Sequence, residues 1–161
     1  MEASAFGEGL SSGHAGIDAQ HQELAAASAE LRVLLEAEDR LAAGPALERL
    51  RLATQAHFRF EEELMAQGYE HARNHREDHA SFLAELGRIS AELETGITAK
   101  VRLWVASRYL SWFRYHARSA DAGLARYLRR REEELAAAAQ AGAQAAPDAG
   151  PKAKAAPAAA P

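Results

Sequence analysis

His57 and Glu61 stand four residues apart, and His75 and His79 repeat that interval a short way along the chain. Residues four apart on an α-helix differ by only about 40° around its axis, so each pair shares one face. Imidazole and carboxylate groups gathered on one face can bind a metal ion, carry protons or hydrogen-bond inside a core. The surrounding pattern narrows the choice. Counting back from Phe82, Leu86, Ile89 and Leu93, the apolar stripe continues onto His79 and His75, so both rings fall on the side the helix should bury. The segment HFRFEEELMAQGYEHARNHREDHASF, residues 57–82, thus puts polar groups where apolar ones belong.

Four helices would position these groups. The first stripe runs Ile17, His21, Leu24, Ser28, Leu31, Leu35 in alternating steps of four and three, with Asp18 placed to cap it. Ala43, Gly44 and Pro45 interrupt the pattern, and Pro45 suits the first turn of a second helix. That helix carries Leu47, Leu50, Thr54, His57, Glu61 and Leu64, and Gly68 ends it. The third stripe is His75, His79, Phe82, Leu86, Ile89, Leu93, closed by Thr95 and Gly96; the fourth is Val101, Val105, Tyr109, Trp112, His116. Such stripes joined by short loops describe an all-α fold, an antiparallel up-down four-helix bundle. After Asp121 the run AGLARYLRRREEELAAAA can form a short final helix, its Glu and Arg residues at mutual helical spacing. The expected organisation is an N-terminal arm over residues 1–17, the bundle over 18–136 and a disordered Ala/Pro-rich tail over 137–161, whose composition cannot bury a core.

Composition excludes several classes of function. The 161 residues suffice for one domain, and a net charge of −4 with Arg and Glu interspersed offers no basic face for nucleic acid or an anionic membrane. Without cysteine there are no disulfides, thiolate metal sites or Cys-ligated clusters. The N-terminus MEASAFGEGLSSG has neither the positive start nor the apolar core of a signal peptide. No apolar run approaches the roughly 18 residues of a membrane span. A cytoplasmic protein, monomeric, is the plain expectation.

Within such a bundle His21, His57, Glu61, His75, His79 and His116 point towards one common axis, with every helix contributing a histidine. A lone buried histidine is usually a satisfied core residue. Five with a carboxylate are not easily explained so, because each unpaired group would cost a few kcal/mol in an apolar interior. A metal centre satisfies them together, and this donor set suits iron, zinc, copper or manganese. His71, at the very start of its helix, and His14, in the arm, are expected to be exposed, and Glu62 and Glu63 to form a solvated face.

The motifs GIDAQH (16–21), HFRFEEELM (57–65), H-REDH-SF (75–82) and WFRYHARSAD (112–121) carry a resemblance to the bacterial hemerythrins, oxygen-binding four-helix bundles with a non-haem di-iron centre. The resemblance covers roughly residues 6–128. It implies that His75, His79 and His116 bind one iron and His21 and His57 the other. Glu61 and Asp121, with an oxo or hydroxo group, would bridge the two. One iron then has six ligands and its neighbour five. Dioxygen would bind end-on at that open position as a hydroperoxide, the pair cycling between Fe2+ and Fe3+. Asp121 is the ligand that spacing alone does not supply: five residues from His116 is about 140° around an α-helix. The helix is therefore expected to break, widen or tighten between Ala117 and Ala120.

The sequence departs from the family pattern at Phe6, where a tryptophan is usual, at Phe113 in place of a common pocket leucine, at Ala117 in place of a larger aliphatic residue, and at Leu124 in place of a frequent tyrosine. Reversible oxygen binding for delivery, storage or sensing is the leading expectation, with Phe113, Leu24 and Ala117 as dry neighbours of the open position. A di-iron peroxidase or nitric-oxide-handling protein would want an additional acid or base, for which Tyr109 is the one polar candidate on the stripes. A sensor module would use the C-terminal tail to reach a protein partner. A ferritin-like oxidase fits less well, since that site is built chiefly from Glu with E-x-x-H pairs.

Overall fold

The computed structural model describes residues 9–145, and every regular element among them is helical. Helix α1 spans Ala15–Glu36, α2 spans Arg40–Met65 and α3 spans Ala72–Thr95. The fourth rod, α4, opens at Ala99. Its α-helical segments Ala99–Leu103, Tyr109–His116 and Ala122–Ala145 are joined by two π-helical turns, Trp104–Arg108 and Ala117–Asp121. Among the described residues no helix is long and apolar enough to cross a membrane.

Successive rods alternate in direction. At one end Arg40, opening α2, bonds the Glu94 carbonyl near the end of α3. There too Arg102, near the start of α4, donates to the Leu35 carbonyl at 2.5 Å and to Glu38 at 2.7 Å. At the other end the Tyr127 hydroxyl donates to the Gln67 carbonyl at 2.7 Å. These arginines meet carbonyls in the last turns of α1 and α3, where cationic donors are favourable.

The stripes of α1 and α3 are buried residue for residue as the spacing predicts. On α2, Met65 is buried where Leu64 was expected, and Leu64 packs only partly. On α4 the first π turn carries the buried face from Trp112 to Phe113, so Trp112 is partly buried and Phe113 fully. Along the bundle axis the apolar groups form two clusters. The larger includes Leu24, Leu31, Leu50, Phe58, Phe82, Leu86, Tyr109 and Phe113; the smaller holds Ile17, Met65, Tyr69, Leu124 and Leu128. On each rod the histidines and carboxylates of the stripe lie between the two, while Ser28 and Thr54 fall within the span of the larger cluster. The site is a polar layer within an apolar stack.

Three local expectations need correction. Asp18 does not cap α1: the helix begins three residues earlier, and the His14 ring accepts from the Ile17 amide at 3.3 Å. His14 is therefore half-buried rather than exposed. Pro45 does not open α2, which starts at Arg40 under the Asp39 cap and holds Pro45 inside it. That proline lacks the N–H the Leu41 carbonyl would use, a loss tolerable this close to the helix start, where Leu41 is 91% exposed. Finally, residues 137–145 of the expected tail continue the last helix to Ala145. Phe6 and the rest of the tail lie outside the described residues.

The contacts divide the chain after Leu128. Beyond that point the described residues are exposed apart from the half-buried Arg131, with Arg130 and Glu134 paired one turn apart at 3.9 Å.

Candidate metal centre

Each rod delivers its donors by its own periodicity. His21 lies one turn beyond Ile17 on α1, His57 and Glu61 are stacked on α2, and His75 and His79 on α3. Asp121 needs more than periodicity. The second π turn supplies it: the Ala122 amide bonds the Ala117 carbonyl five residues back, so residue i+5 returns beneath residue i. Asp121 comes to lie under His116, fully buried, and its carboxylate caps no helix. The distortion expected between Ala117 and Ala120 is thus a widening. Close behind it, a Cβ on Gly123 would meet the Tyr69 hydroxyl at 2.7 Å, so a larger residue there would have to displace that side chain.

All seven side chains expected at the site converge, and each is buried. They form two donor groups that share both carboxylates: Glu61, His75, His79, His116 and Asp121 in one, and His21, His57, Glu61 and Asp121 in the other. The sharing is oxygen by oxygen. Glu61 turns Oε1 to His57 Nε2 at 3.4 Å and Oε2 to His79 and His75 at 3.0 and 3.4 Å. Asp121 turns Oδ2 to His21 at 3.3 Å and Oδ1 to His75 and His116 at 3.0 and 3.2 Å. In the larger group the three Nε2 atoms crowd together, His79 to His116 at 3.1 Å and His116 to His75 at 2.9 Å.

Whether these donors fit a metal can be tested on them directly. His21 Nε2, His57 Nε2 and all four oxygens of Glu61 and Asp121 are buried without a hydrogen bond of proper angle, despite the short approaches. Each such orphan would cost about 1–3 kcal/mol, and no arrangement of protons serves them all. A cation does. With bonds of about 2.1 Å, ligands at right angles lie about 3 Å apart and tetrahedral neighbours about 3.4 Å. The spacings in the larger group sit mostly at the shorter value, and five donor residues already exceed a tetrahedral set. The residues fit a metal of high coordination number.

Left to protons alone, the layer divides its charge unevenly. Burial holds His57 down to about 3 and His116 to about 4, aided by neighbouring histidines, and His79 is lowered likewise. These three rings are neutral and ready to donate lone pairs. Burial also pulls on His75, but the adjacent Asp121 and Glu61 outweigh it and raise the ring to about 9. Glu61 is pushed up to about 7, chiefly by burial, whereas the histidines hold Asp121 below its ordinary range in spite of burial.

Three of the outer ring nitrogens have partners of their own, which orient the rings, while His75 Nδ1 is buried without one. His21 Nδ1 pairs with the Leu10 carbonyl at 2.6 Å, His57 Nδ1 with Gln20 Oε1 at 2.9 Å and His79 Nδ1 with Glu62 at 3.2 Å. Glu62 was expected to be simply solvated; it is half-buried and holds a site histidine. Gln20 lies within the GIDAQH motif, so the sequence could have pointed to it, but a backbone carbonyl such as that of Leu10 leaves no residue-type signal. Glu63 and His71 are exposed, as expected. Aromatic faces close the layer: Phe58 stacks on His79 at 3.8 Å and Trp112 on His116 at 4.2 Å. Phe113 faces His21 and His57 at 6.0 and 5.9 Å. Leu124, by contrast, belongs to the smaller apolar cluster on the opposite side of the layer.

A buried histidine–carboxylate layer crossing an all-helical bundle defines a helical protein with a side-chain cluster that could hold metal ions. The model of the hemerythrin HHE cation-binding domain matches residues 12–128, most of the chain, and the protein belongs to that family. No curated protein and no solved structure matches it.

Proposed function

We propose that the protein binds dioxygen reversibly at a non-haem di-iron centre, held by His75, His79 and His116 on one side and His21 and His57 on the other, with Glu61 and Asp121 shared. The observation that carries this reading is the unequal division of imidazoles about two common carboxylates. With both carboxylates shared, the two-histidine side would offer an iron one protein ligand fewer than the three-histidine side. Two iron ions there would supply two electrons and one position open to dioxygen. The chain supplies the rest. Glu61 and Asp121 fix the separation of the two donor groups, Leu10 and Gln20 orient the rings of the two-histidine side, and Phe113 lies against those rings to exclude water. Tyr109, the polar stripe residue nearest to acting as an acid, is fully buried and hydrogen-bonded to Thr54 at 2.8 Å, which favours a carrier over a catalyst.

One observation favours a second reading. Glu62 is 36% exposed and touches His79, so a carboxylate links solvent to the layer, as a peroxidase or nitric-oxide-handling site would use. A single experiment separates the two. The protein is reduced without oxygen, mixed with air and then purged, with visible spectra recorded throughout. A band that appears with oxygen and vanishes on its removal supports the carrier, whereas one irreversible conversion to the oxidised protein rejects it. Elemental analysis should find two irons per chain, and one zinc would defeat the reading.

A further inference from the structure

The segment before α1 is stitched to Asp18 by an unusual number of bonds. Its carboxylate accepts from the Ser12 amide and the Ser12 hydroxyl, both at 2.6 Å, from the Ser11 hydroxyl at 2.8 Å and from the Gly13 amide at 3.3 Å. Glycines with positive φ, Gly9 at 84° and Gly13 at 88°, turn the chain at either end of this strap. The strap carries Leu10, which is 1% exposed and packs in the larger core. Its carbonyl is the one that meets His21 Nδ1. The same carboxylate lies 4.0 Å from that nitrogen.

We propose that Asp18 is a positioning residue for the two-histidine side: by tying down residues 10–13 it keeps the Leu10 carbonyl on His21 and so holds His21 Nε2 towards the metal. The inference rests on the metal reading above. His57 is set differently, by Gln20 from within the bundle. The side of the centre proposed to meet dioxygen therefore depends on a strap outside the four rods, and the three-histidine side does not. Loosening the strap weakens one ion selectively.

Asp18→Asn and Asp18→Ala shorten or remove the set of acceptors. Ser12→Ala breaks one stitch while leaving the charge, and serves if the Asp18 variants fold poorly by circular dichroism. In the iron-loaded protein the imidazole N–H protons are shifted out of the main proton envelope by the paramagnetic metal, so their exchange into D2O can be followed singly. The His21 proton is expected to exchange about tenfold faster in the variants, with the His57 proton unchanged. A chelator should then remove iron in two phases, the first faster than in the parent and the second unaltered. Equal acceleration of both protons, no acceleration at all, or loss of both ions in one phase would overturn the inference. Parent protein that binds no iron overturns the metal reading and this inference with it.

Discussion

Thr54 and Tyr109 show how little freedom a single polar pair has inside this core. The Thr54 hydroxyl donates to the Leu50 carbonyl at 2.7 Å, which leaves its oxygen to accept the phenolic proton. Burial raises the Tyr109 phenol well above its ordinary range, so it stays protonated. Thr54→Val keeps the shape and strands the phenol, and should cost about 1–3 kcal/mol in chemical denaturation. Adding Tyr109→Phe should recover most of that loss, because removing both partners leaves nothing unpaired. Iron content should be the same in both variants. If the double variant is no more stable than the single one, the hydrogen bond is not what holds the pair.

At the scale of the element, the second π turn decides the site. It inserts one extra residue into α4, so the residues that follow meet the buried face one position later than in a plain α-helix. Deleting Ser119 should therefore restore a plain α-helix and set Asp121 four residues from His116, the interval at which Glu61 follows His57. Such a variant is expected to retain two irons with an altered visible spectrum. The double substitution Ala120→Asp with Asp121→Ala keeps the π turn and moves the carboxylate off the shared face, and should lose them. Elemental analysis reads both outcomes. Equal loss from the two variants would mean that the widened turn itself, and not the direction of the carboxylate, is what the centre needs.

For the whole molecule, the polar layer and the strap are places where stability depends on solution conditions. A metal that binds only the folded chain stabilises it by about 2.7 kcal/mol at a hundredfold excess over its dissociation constant. Stripping it should lower Tm by roughly 5–10 °C for a domain of this size, as calorimetry would show; an unchanged Tm would mean that the donors are satisfied without it. The strap responds to acid. Burial raises the Asp18 carboxyl, and the Ser12, Ser11 and Gly13 donors outweigh that and hold it below its ordinary 3.8. A lowered folded value means that its contribution is complete above 3.8 and is lost as pH falls through the folded value below that. Asp18→Ala should thus have a lower Tm than the parent at neutral pH, and the gap should close in strong acid. A gap that is constant with pH would show that the carboxylate charge plays no part.

The sequence alone determined the four rods and six of the seven donors, because both are written in helical spacing. A histidine on an apolar stripe at steps of three and four must face whatever that stripe faces, and α1 and α3 followed the expected burial throughout. Asp121 came from the family motif, since a straight helix would have pointed it elsewhere. Only tertiary structure decided what lies off the periodic face. A π turn is a one-residue change in phase, which put Phe113 rather than Trp112 in the core and brought Asp121 under His116. Helix starts moved because Asp18 is engaged by the strap and Asp39 caps α2 ahead of Pro45. The partners of the outer imidazole nitrogens, the Leu10 carbonyl and Glu62 among them, depend on which atoms of distant segments meet in space, and no spacing along the chain encodes that.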